Sequence, residues 1–498
     1  MRRFPREKTI SIFHPFFANC LRYPMMISLS RIGHSALRES GLLSVYNTGP
    51  DAWLVILSRS CRMFAYGASS LIIALFFAEL KFSDSNIGLF MSLTLLGDVM
   101  LSLFLTLVAD HIGRRRTLFM GSLLMIMSGT TFALCENYWV LLAAAVVGVI
   151  SATGGDFGPF RAIEESVASE LTTPATRADV LVWYVTTSSL GSAAGTAMSG
   201  RIIEWLMARD GWTLLDAYHG CFWLYTIMGT VNLVFTLLLS SKCELKKAPK
   251  TQTVESEPLL AVEGQQASSG TQPAKKEKTS WVSQISRETL AVISVLWFLL
   301  MVDSLADGMV SMSLTTYYID QKFHVPKSTL GYMLSVSYLL GGFSTIFSGP
   351  LSRYIGLVNT MVFTHIPSST AVLLFPFPST VSLTFGLLLL RVGLNNMDQA
   401  PRAALIASVV RPEERTAVLG ITGMLRTLAS TTGPSITGVL ADNNRFWIAY
   451  VVAGALRLAY DLGLFAMFIN IKLHKHEPLA VESGNERDEE EPARQSSN

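Results

Sequence analysis

About twelve apolar stretches, each long enough to cross a bilayer as a helix, dominate this sequence. A hydrocarbon core of about 30 Å requires roughly 20 helical residues, which is far more than a barrel strand needs. Only 15% of the residues are charged, against roughly 25% in an average soluble domain. We therefore predict an all-α integral membrane protein. Segments 1–6 are predicted at 53–80, 87–109, 117–135, 139–163, 178–207 and 217–240, and segments 7–12 at 289–318, 330–351, 360–377, 381–396, 417–440 and 447–471.

A polar linker divides the segments into two groups of six. Residues 241–288 are rich in Lys, Glu, Ser, Gln and Pro, which is typical of a disordered linker. The linker lysines and the three arginines at 114–116 share one side, and the positive-inside rule identifies that side as the cytosol. The predicted domains are a cytosolic N-terminal segment 1–52, a six-helix bundle 53–240, the linker, a second bundle 289–471 and an acidic cytosolic tail 472–498. Both termini are then cytosolic.

The apolar stretch 10–30 requires a separate interpretation. It contains His14, Pro15, Arg22 and Pro24, and no small-residue cleavage pattern follows it. We interpret it as a cytosolic or interfacial segment rather than as a thirteenth span.

Composition and motifs argue against several other classes of protein. A net charge of +2 offers no cationic field for nucleic acid. The five cysteines are scattered and never spaced C-x-x-C, so neither a disulfide framework nor a thiolate zinc site is indicated. No P-loop, zincin or serine-hydrolase motif occurs. We expect no enzyme activity, cofactor or metal, and a monomer embedded in the lipid bilayer.

The two halves repeat one another. Segments 4 and 10 share a D-x-x-P motif, with Asp156 and Pro159 in the first half and Asp398 and Pro401 in the second. Gly195 and Gly200 match Gly433 and Gly438 at a constant offset of 238 residues. Repeated six-helix halves are typical of transporters whose substrate site lies between the repeats.

The connection after segment 2, with Asp110, Gly113 and the arginines at 114–116, resembles the G-x-L-a-D-r-x-G-r-r loop of the major facilitator superfamily. The resemblance implies two pseudo-symmetric six-helix bundles and a loop that latches the cytosolic side. Asp110 is suited to cap a helix N-terminus, while Gly113 allows a tight turn. The alternative is that the arginines only set the topology. The latch residues are Asp110, Gly113, Arg114, Arg115, Gly349, Arg353 and Gly356.

Within the superfamily, the run from Pro401 to Pro434 resembles a branch of mostly uncharacterised microbial and fungal members. The antiporter signature of the superfamily is only partly present in segment 5, where Gly191 and Gly195 lack the proline that should follow them. We interpret these small residues as helix-packing positions, which leaves the direction of transport open.

Many charged residues lie within the predicted segments, where each costs at least about 2.5 to 3.5 kcal/mol unless it is paired or faces a cavity. Arg161 with Glu165, and Asp398 with Arg402, are spaced i, i+4 and predict local ion pairs. Our hypothesis is that these charges form a cytosolic gate and that one carboxylate binds the coupling proton; the alternative is a set of static ion pairs. The gate and proton candidates are Asp98, Asp156, Arg161, Glu164, Glu165, Asp303, Asp307, Asp398 and Arg402.

The charge of the substrate stays open at this point. Arg62 and Arg426 would attract an anion if they are unpaired, whereas Asp98 and Asp307 would attract a cation. Tyr184 and Tyr338 are further candidates for the cavity wall, with packing as the alternative.

The sequence thus predicts a secondary transporter for a small organic solute, driven by the proton gradient. The alternative is a non-transporting nutrient sensor on the same fold. In the linker, Glu255, Leu259 and Leu260 have the form of an acidic dileucine signal for a sorting adaptor, although they also fit a simple linker. The predicted location is the plasma membrane or a vacuolar or endosomal membrane.

Overall fold

The computed structural model describes residues 41–148, 150, 159–244, 287–410 and 414–468. Every regular element within these ranges is helical. Predictions for the apolar stretch 10–30, the sorting motif and the acidic tail concern residues outside these ranges, and so does the prediction for Asp156.

Helices occupy all six predicted segments of the first half, after a short helix Leu42–Thr48. Segment 4 comprises two helices, one on either side of the ranges 149 and 151–158, which lie outside the described residues. The helices of segments 1–6 are, in order, Pro50–Glu79, Asp84–Ile112, Arg114–Leu134, Tyr138–Gly148 with Pro159–Leu171, Pro174–Met207 and Leu214–Leu238.

The second half has the same arrangement of six segments. Segment 7 is bent by 41° between its two helices, and segment 10 contains a 3₁₀ turn, Asn396–Asp398, between its two. The helices of segments 7–12 are, in order, Arg287–Met309 with Met312–Phe323, Lys327–Ile355, Leu357–Leu374, Val381–Asn395 with Gln399–Val409, Arg415–Asp442 and Phe446–Phe468.

Segments 7 and 10 are each divided into two helices, a detail that the predicted segment ranges did not include. Within the described residues, seven helices are long and apolar enough to cross a membrane by themselves, and the bent pair of segment 7 adds an eighth. Segments 4 and 10 consist of shorter pieces, whereas segments 5 and 11 are long but more polar. Segments 4, 10 and 11 carry charged residues that line a polar interior.

Of the repeated glycines, Gly195 and Gly433 pack helices together within each half, whereas Gly200 and Gly438 pack one half against the other. A Cβ on Gly195 of segment 5 would lie 2.0 Å from the carbonyl oxygen of Phe64 in segment 1. Its counterpart Gly433 of segment 11 would place a Cβ 2.3 Å from the backbone nitrogen of Met309 in segment 7. Real Cβ contacts are essentially never this short, so both positions require glycine, and the packing interpretation of the repeat is confirmed.

The two halves touch chiefly at one end of the molecule. We call the end with Gly113, Ser241–Cys243 and Gly356 the linker face, and the other end the opposite face. Near the opposite face, a Cβ on Gly88 would lie 2.4 Å from the carbonyl oxygen of Pro434, and one on Gly331 would lie 2.5 Å from that of Thr196. These two contacts, segment 2 with 11 and segment 8 with 5, are pseudo-symmetric and bring the halves together there.

Hydrogen bonds between the halves also lie toward the opposite face. The hydroxyl of Tyr317 donates to Asp84 at 2.5 Å, and that of Ser85 donates to Asp442 at 2.8 Å. The backbone N–H of Ser328 donates to Glu204 at 3.0 Å. Each of these bonds joins one half to the other, so the opposite face is closed.

Candidate functional site

A cavity of about 600 Å³ lies between the two halves. Its wall includes Leu95 and Arg161 of the first half, while most of the remaining wall belongs to segments 7, 10 and 11. It extends from the middle of the helices, at Ser311 and Tyr338, to the ends of segments 10 and 11 at the linker face. A cavity of this size is in the range of small-molecule sites.

The wall is polar and carries charges of both signs. The arginines and aspartates of the wall are Arg161, Asp307, Arg391, Asp398, Arg402 and Arg426. Charges in a membrane interior are costly unless they are paired or reach water, so each requires a partner.

Both of the predicted i, i+4 ion pairs are present. Arg161 donates from Nε to Glu165 at 2.8 Å, and both side chains are partly exposed. Arg402 donates to Asp398 within the buried wall, and its guanidinium also lies 3.6 Å from a carboxylate oxygen of Asp303. The two ion pairs therefore contribute to the wall of the same cavity, one from each half.

A buried polar network surrounds His365 of segment 9, in the core of the second half next to the cavity wall. Its Nδ1 lies 2.7 Å from an Asp461 carboxylate oxygen, and its Nε2 accepts a hydrogen bond of 2.7 Å from Arg457. Because a guanidinium can only donate, Nε2 is the acceptor in this contact, and the N–H of a neutral imidazole would lie on Nδ1, facing Asp461. Asp303 lies 3.7 Å from Nε2, and Ser369 donates to Asp461 at 2.8 Å.

Arg457 links this network to the cavity. It donates from Nη1 to Asp307, a residue of the cavity wall, at 2.8 Å. It also donates to the side-chain oxygen of Asn395. A change in the protonation of His365 would therefore reach the cavity through a single guanidinium.

Two arginines of the wall are held by neutral groups. Arg391 donates to the hydroxyl of Thr315 at 2.9 Å and to the carbonyl oxygen of Val310, which the break in segment 7 leaves without a helical partner. Arg426 donates from Nε to the hydroxyl of Ser304 at 3.0 Å. In the described part of the chain, neither guanidinium has a carboxylate within 4.0 Å.

In the first half, Arg62 and Glu164 form a bidentate pair with both N···O distances at 2.7 Å. The hydroxyl of Tyr184 donates to the same carboxylate at 2.8 Å. Arg62 also stacks over the ring of Phe160, and Arg59 over that of Tyr184. Arg62, Glu164 and Tyr184 thus belong to the packed interior of the first half rather than to the cavity wall.

The loop between segments 2 and 3 is tied to its surroundings by glutamates. Gly113 has a φ of +105°, which favours glycine, and immediately precedes the helix of segment 3. The carboxylate of Glu244 accepts the backbone N–H groups of Arg114 at 2.9 Å and Arg115 at 3.3 Å. Arg114 itself binds Glu170 at the end of segment 4. The carboxylate of Glu244, which follows the 3₁₀ turn Ser241–Cys243, therefore caps this helix. The side chain of Asp110, the predicted cap, is outside the described residues.

Cys243, which immediately precedes Glu244, is buried in the 3₁₀ turn Ser241–Cys243. Burial, together with the nearby Asp51 carboxylate, raises the pKa of its thiol to about 12. This thiol is consequently protonated and unreactive at neutral pH.

The remaining predicted residues are dispersed. Tyr338 lines the cavity, Asp98 is buried in segment 2, and Asp303 is part of the His365 network. Arg353 is exposed at the linker face, and Gly349 has open space around it. His365 was not among the predicted residues, although an ionisable side chain inside segment 9 is a signal of the same kind as the acidic residues that were.

Comparison with known proteins gives a consistent result. A family model described as Major Facilitator Superfamily matches residues 55–302 and 296–495. A Saccharomyces cerevisiae protein described as an uncharacterized membrane protein is 33% identical over 426 residues, which cover 84% of this chain and 94% of that protein.

Solved transporter structures share the fold. The nucleoside transporter NupG superposes with a TM-score of 0.61 at 12% identity, over 85% of this chain and 100% of NupG. The xylose transporter XylE from E. coli, in a partially occluded inward open conformation, gives 0.58 at 13% identity, over 85% of this chain and 100% of XylE. The predicted fold of two six-helix bundles is confirmed.

Proposed function

The chain belongs to the major facilitator superfamily, a family of membrane transporters, and on this premise we propose that it is a secondary transporter of a small organic solute that works by alternating access. It is an integral, multi-pass membrane protein. The observation that carries the proposal is the cavity between the halves, which reaches the linker face while paired glycines close the opposite face. A fold of two repeats around one central cavity suits alternating access, because one half can rock against the other.

We further propose that the linker face is cytosolic. The arginines at 114–116 and the linker lysines support this orientation through the positive-inside rule. The conformation described here is then inward-open, with its cavity continuous with the cytosol.

The two i, i+4 pairs are the proposed gate on that face. Arg161 and Glu165 belong to one half, Asp398 and Arg402 to the other, and each pair is complete within its own half. When the linker face closes, Arg161 can leave Glu165 and form an ion pair with Asp398. Arg402 can then form an ion pair with Glu165. Such an exchange conserves charge pairing in both states, which keeps the barrier between them low. Asp156 of the repeated motif remains a candidate for the coupling proton.

The network behind the cavity wall supports proton coupling from the second half. A proton on Nε2 of His365 would displace Arg457, which now donates to that atom. The charged imidazole would then face Asp303 and Asp461, and Arg457 would turn fully toward Asp307 in the cavity wall. Proton binding and the charge of the cavity are coupled in this way.

Counterflow in proteoliposomes tests the proposal. A ligand is first selected by its effect on thermal stability, since a ligand at 100 times its Kd adds about 2.7 kcal/mol. We expect labelled ligand to accumulate transiently in liposomes preloaded with unlabelled ligand, and net ligand flux to change the luminal pH. Binding without counterflow would instead identify a sensor, and counterflow without a pH change would remove the proton from the proposal.

A further inference from the structure

From the arginines of the cavity wall, we propose that the transported solute is a small organic anion, bound through a carboxylate or a phosphate group by Arg391 and Arg426. This inference rests on the proposed transporter function and narrows its substrate class. The fold alone does not require an anionic substrate, because members of the superfamily transport solutes of every charge.

The charge balance of the wall favours an anionic ligand. Asp398 binds Arg402, Asp307 binds Arg457, and Arg161 binds Glu165, so these charges are compensated. Among the described residues of the wall, two guanidinium groups have only hydroxyl and carbonyl partners, those of Arg391 and Arg426. The wall itself holds four arginines and two aspartates, so an excess of positive charge faces the cavity, and an anion is the ligand that this lining attracts.

Two further carboxylates of the second half stand outside the cavity wall. Asp303 and Asp461 are both buried in the core of that half, but they do not line the cavity. Asp303 lies close to Arg402 and His365, and Asp461 is held by His365 and Ser369. A solute that enters the cavity therefore meets the guanidinium groups of Arg391 and Arg426 before it meets either of these carboxylates.

The geometry of the donors also suits an anion. A guanidinium carries five N–H donors in a planar fork that matches carboxylate and phosphate oxygens. Arg391 uses two of its groups to hold Thr315 and Val310, which fixes the side chain at the break of segment 7. Within the part of the chain that the structure describes, Arg426 donates only from Nε, to Ser304, and it approaches the cavity from segment 11. One arginine is thus rigidly placed, and the other retains donor capacity at its terminal nitrogens.

A charge-selective labelling experiment tests the inference even though the solute is unidentified. The five cysteines are replaced, and Ser430→Cys introduces a reporter one helical turn from Arg426 in the cavity wall. Tyr354→Cys, at a position 90% exposed on the linker face, provides the reference. Each thiol reacts separately with an anionic sulfonatoethyl and a cationic trimethylammonioethyl methanethiosulfonate, forming a mixed disulfide and releasing methanesulfinate.

We expect the ratio of anionic to cationic rates at 430 to exceed the same ratio at 354 by on the order of tenfold, since clefts of one charge concentrate opposite ions to this extent. Arg426→Gln and Arg391→Gln should bring the ratio toward one. Arg391→Lys keeps the charge while changing the contacts at the break in segment 7, and it should preserve the ratio. Arg201→Gln on the exposed surface of segment 5 is the matched control and should leave the ratio unchanged.

The possible outcomes separate the two proposals. A ratio at or below one in the folded parent overturns the anion inference and leaves the transporter proposal intact. A reporter at 430 that reacts with neither reagent, beside a reactive reference at 354, contradicts the open cavity on which both depend.

A ligand panel then distinguishes the two anion chemistries. Succinate and glycerol 3-phosphate are compared with the neutral analogues succinamide and glycerol in thermal unfolding of the full chain. Stabilisation by succinate alone indicates a carboxylate solute, and stabilisation by glycerol 3-phosphate alone indicates a phosphate ester. Equal stabilisation by the neutral analogues overturns the inference.

Discussion

Glu164 accepts three hydrogen bonds inside the first half, two from Arg62 and one from Tyr184. Glu164→Gln would leave the buried Arg62 guanidinium without its compensating charge. Breaking a buried ion pair from one side is strongly destabilising, and we expect a loss of about 3–5 kcal/mol in the free energy of unfolding. Denaturant unfolding in mixed micelles measures this loss.

Glu165→Gln is the matched control, because it removes the next carboxylate from a pair that is partly exposed. Exposed pairs contribute at most about 1 kcal/mol. Equal losses in the two variants would show that the Arg62 pair is solvated in the membrane-embedded protein. Replacing Arg62 and Glu164 together by methionine should restore much of the stability.

His365 is the residue that we expect to carry the coupling proton, because it lies between Asp461 and Arg457. His365→Gln keeps a neutral hydrogen-bonding side chain beside Asp461 and Arg457 but has no group that titrates. We expect counterflow to persist while the luminal pH change is lost. A pH change of wild-type size in this variant would place the coupling proton elsewhere, with Asp156 as the next candidate.

Ser369→Ala is the control for this experiment. It removes another hydrogen bond to Asp461 without removing a titratable group. The luminal pH change should therefore survive in Ser369→Ala, provided that both variants unfold at similar temperatures.

The partners of charged residues were predictable only within a helix. The pairs Arg161 with Glu165 and Asp398 with Arg402 follow from the i, i+4 spacing alone. The partner of Arg62 is 102 residues away, and Asp461 meets His365 across 96 residues. Such partners depend on how the helices cross, which residue spacing does not encode.

At the scale of the elements, paired glycines allow segment 2 to touch segment 11 at the opposite face. Gly88→Ala would force the backbone of Pro434 away, because the new Cβ has only 2.4 Å of space. Overpacking costs about 1–3 kcal/mol, which corresponds to a shift of roughly 5- to 150-fold in the equilibrium between states. We expect Gly88→Ala to favour opening of the opposite face.

Alkylation of a cysteine at Ser435 measures this opening. Ser435 now hydrogen-bonds Ser92 across the interface of the halves. We expect Ser435→Cys to react faster with a membrane-impermeant maleimide when Gly88→Ala is present. Gly386→Ala is the control, since a Cβ there meets nothing within 4 Å. Equal rates in all backgrounds would show that the glycine contact does not hold this face closed.

The break in segment 10 had a signal in the sequence, the proline of the repeated motif, whereas the break in segment 7 had none. Pro159 and Pro401 of the repeated motif both lie in the first turn of the second helix of their segment, a position that suits proline. Segment 7 is interrupted at Val310, where Arg391 from segment 10 and the hydroxyl of Thr315 satisfy the freed carbonyl. A break stabilised by another segment becomes visible only in the folded protein.

At the scale of the whole molecule, the repeat, the number of segments and the side that faces the cytosol were predictable from the sequence. All three follow from the order of residues along the chain. The sequence did not predict which face is open and which is closed in the folded protein. That state depends on whether the contacts at Gly88 and Gly331 outweigh those that would form between Arg161 and Asp398 at the linker face. Two nearly balanced sets of contacts are what a rocking mechanism requires.

We expect the two faces of the molecule to move in opposite directions. Spin labels at Ile112 and Tyr354 report the distance between the halves at the linker face, and labels at Lys81 and Asn444 report it at the opposite face; all four side chains are exposed. Gly88→Ala should shorten the first distance and lengthen the second, because the halves are rigid bundles that pivot about the cavity. If one distance changes without the other, the halves bend rather than rock, and the exchange of gate partners loses its mechanical basis. If neither changes while Ser435→Cys becomes more reactive, the opening is local to segments 2 and 11.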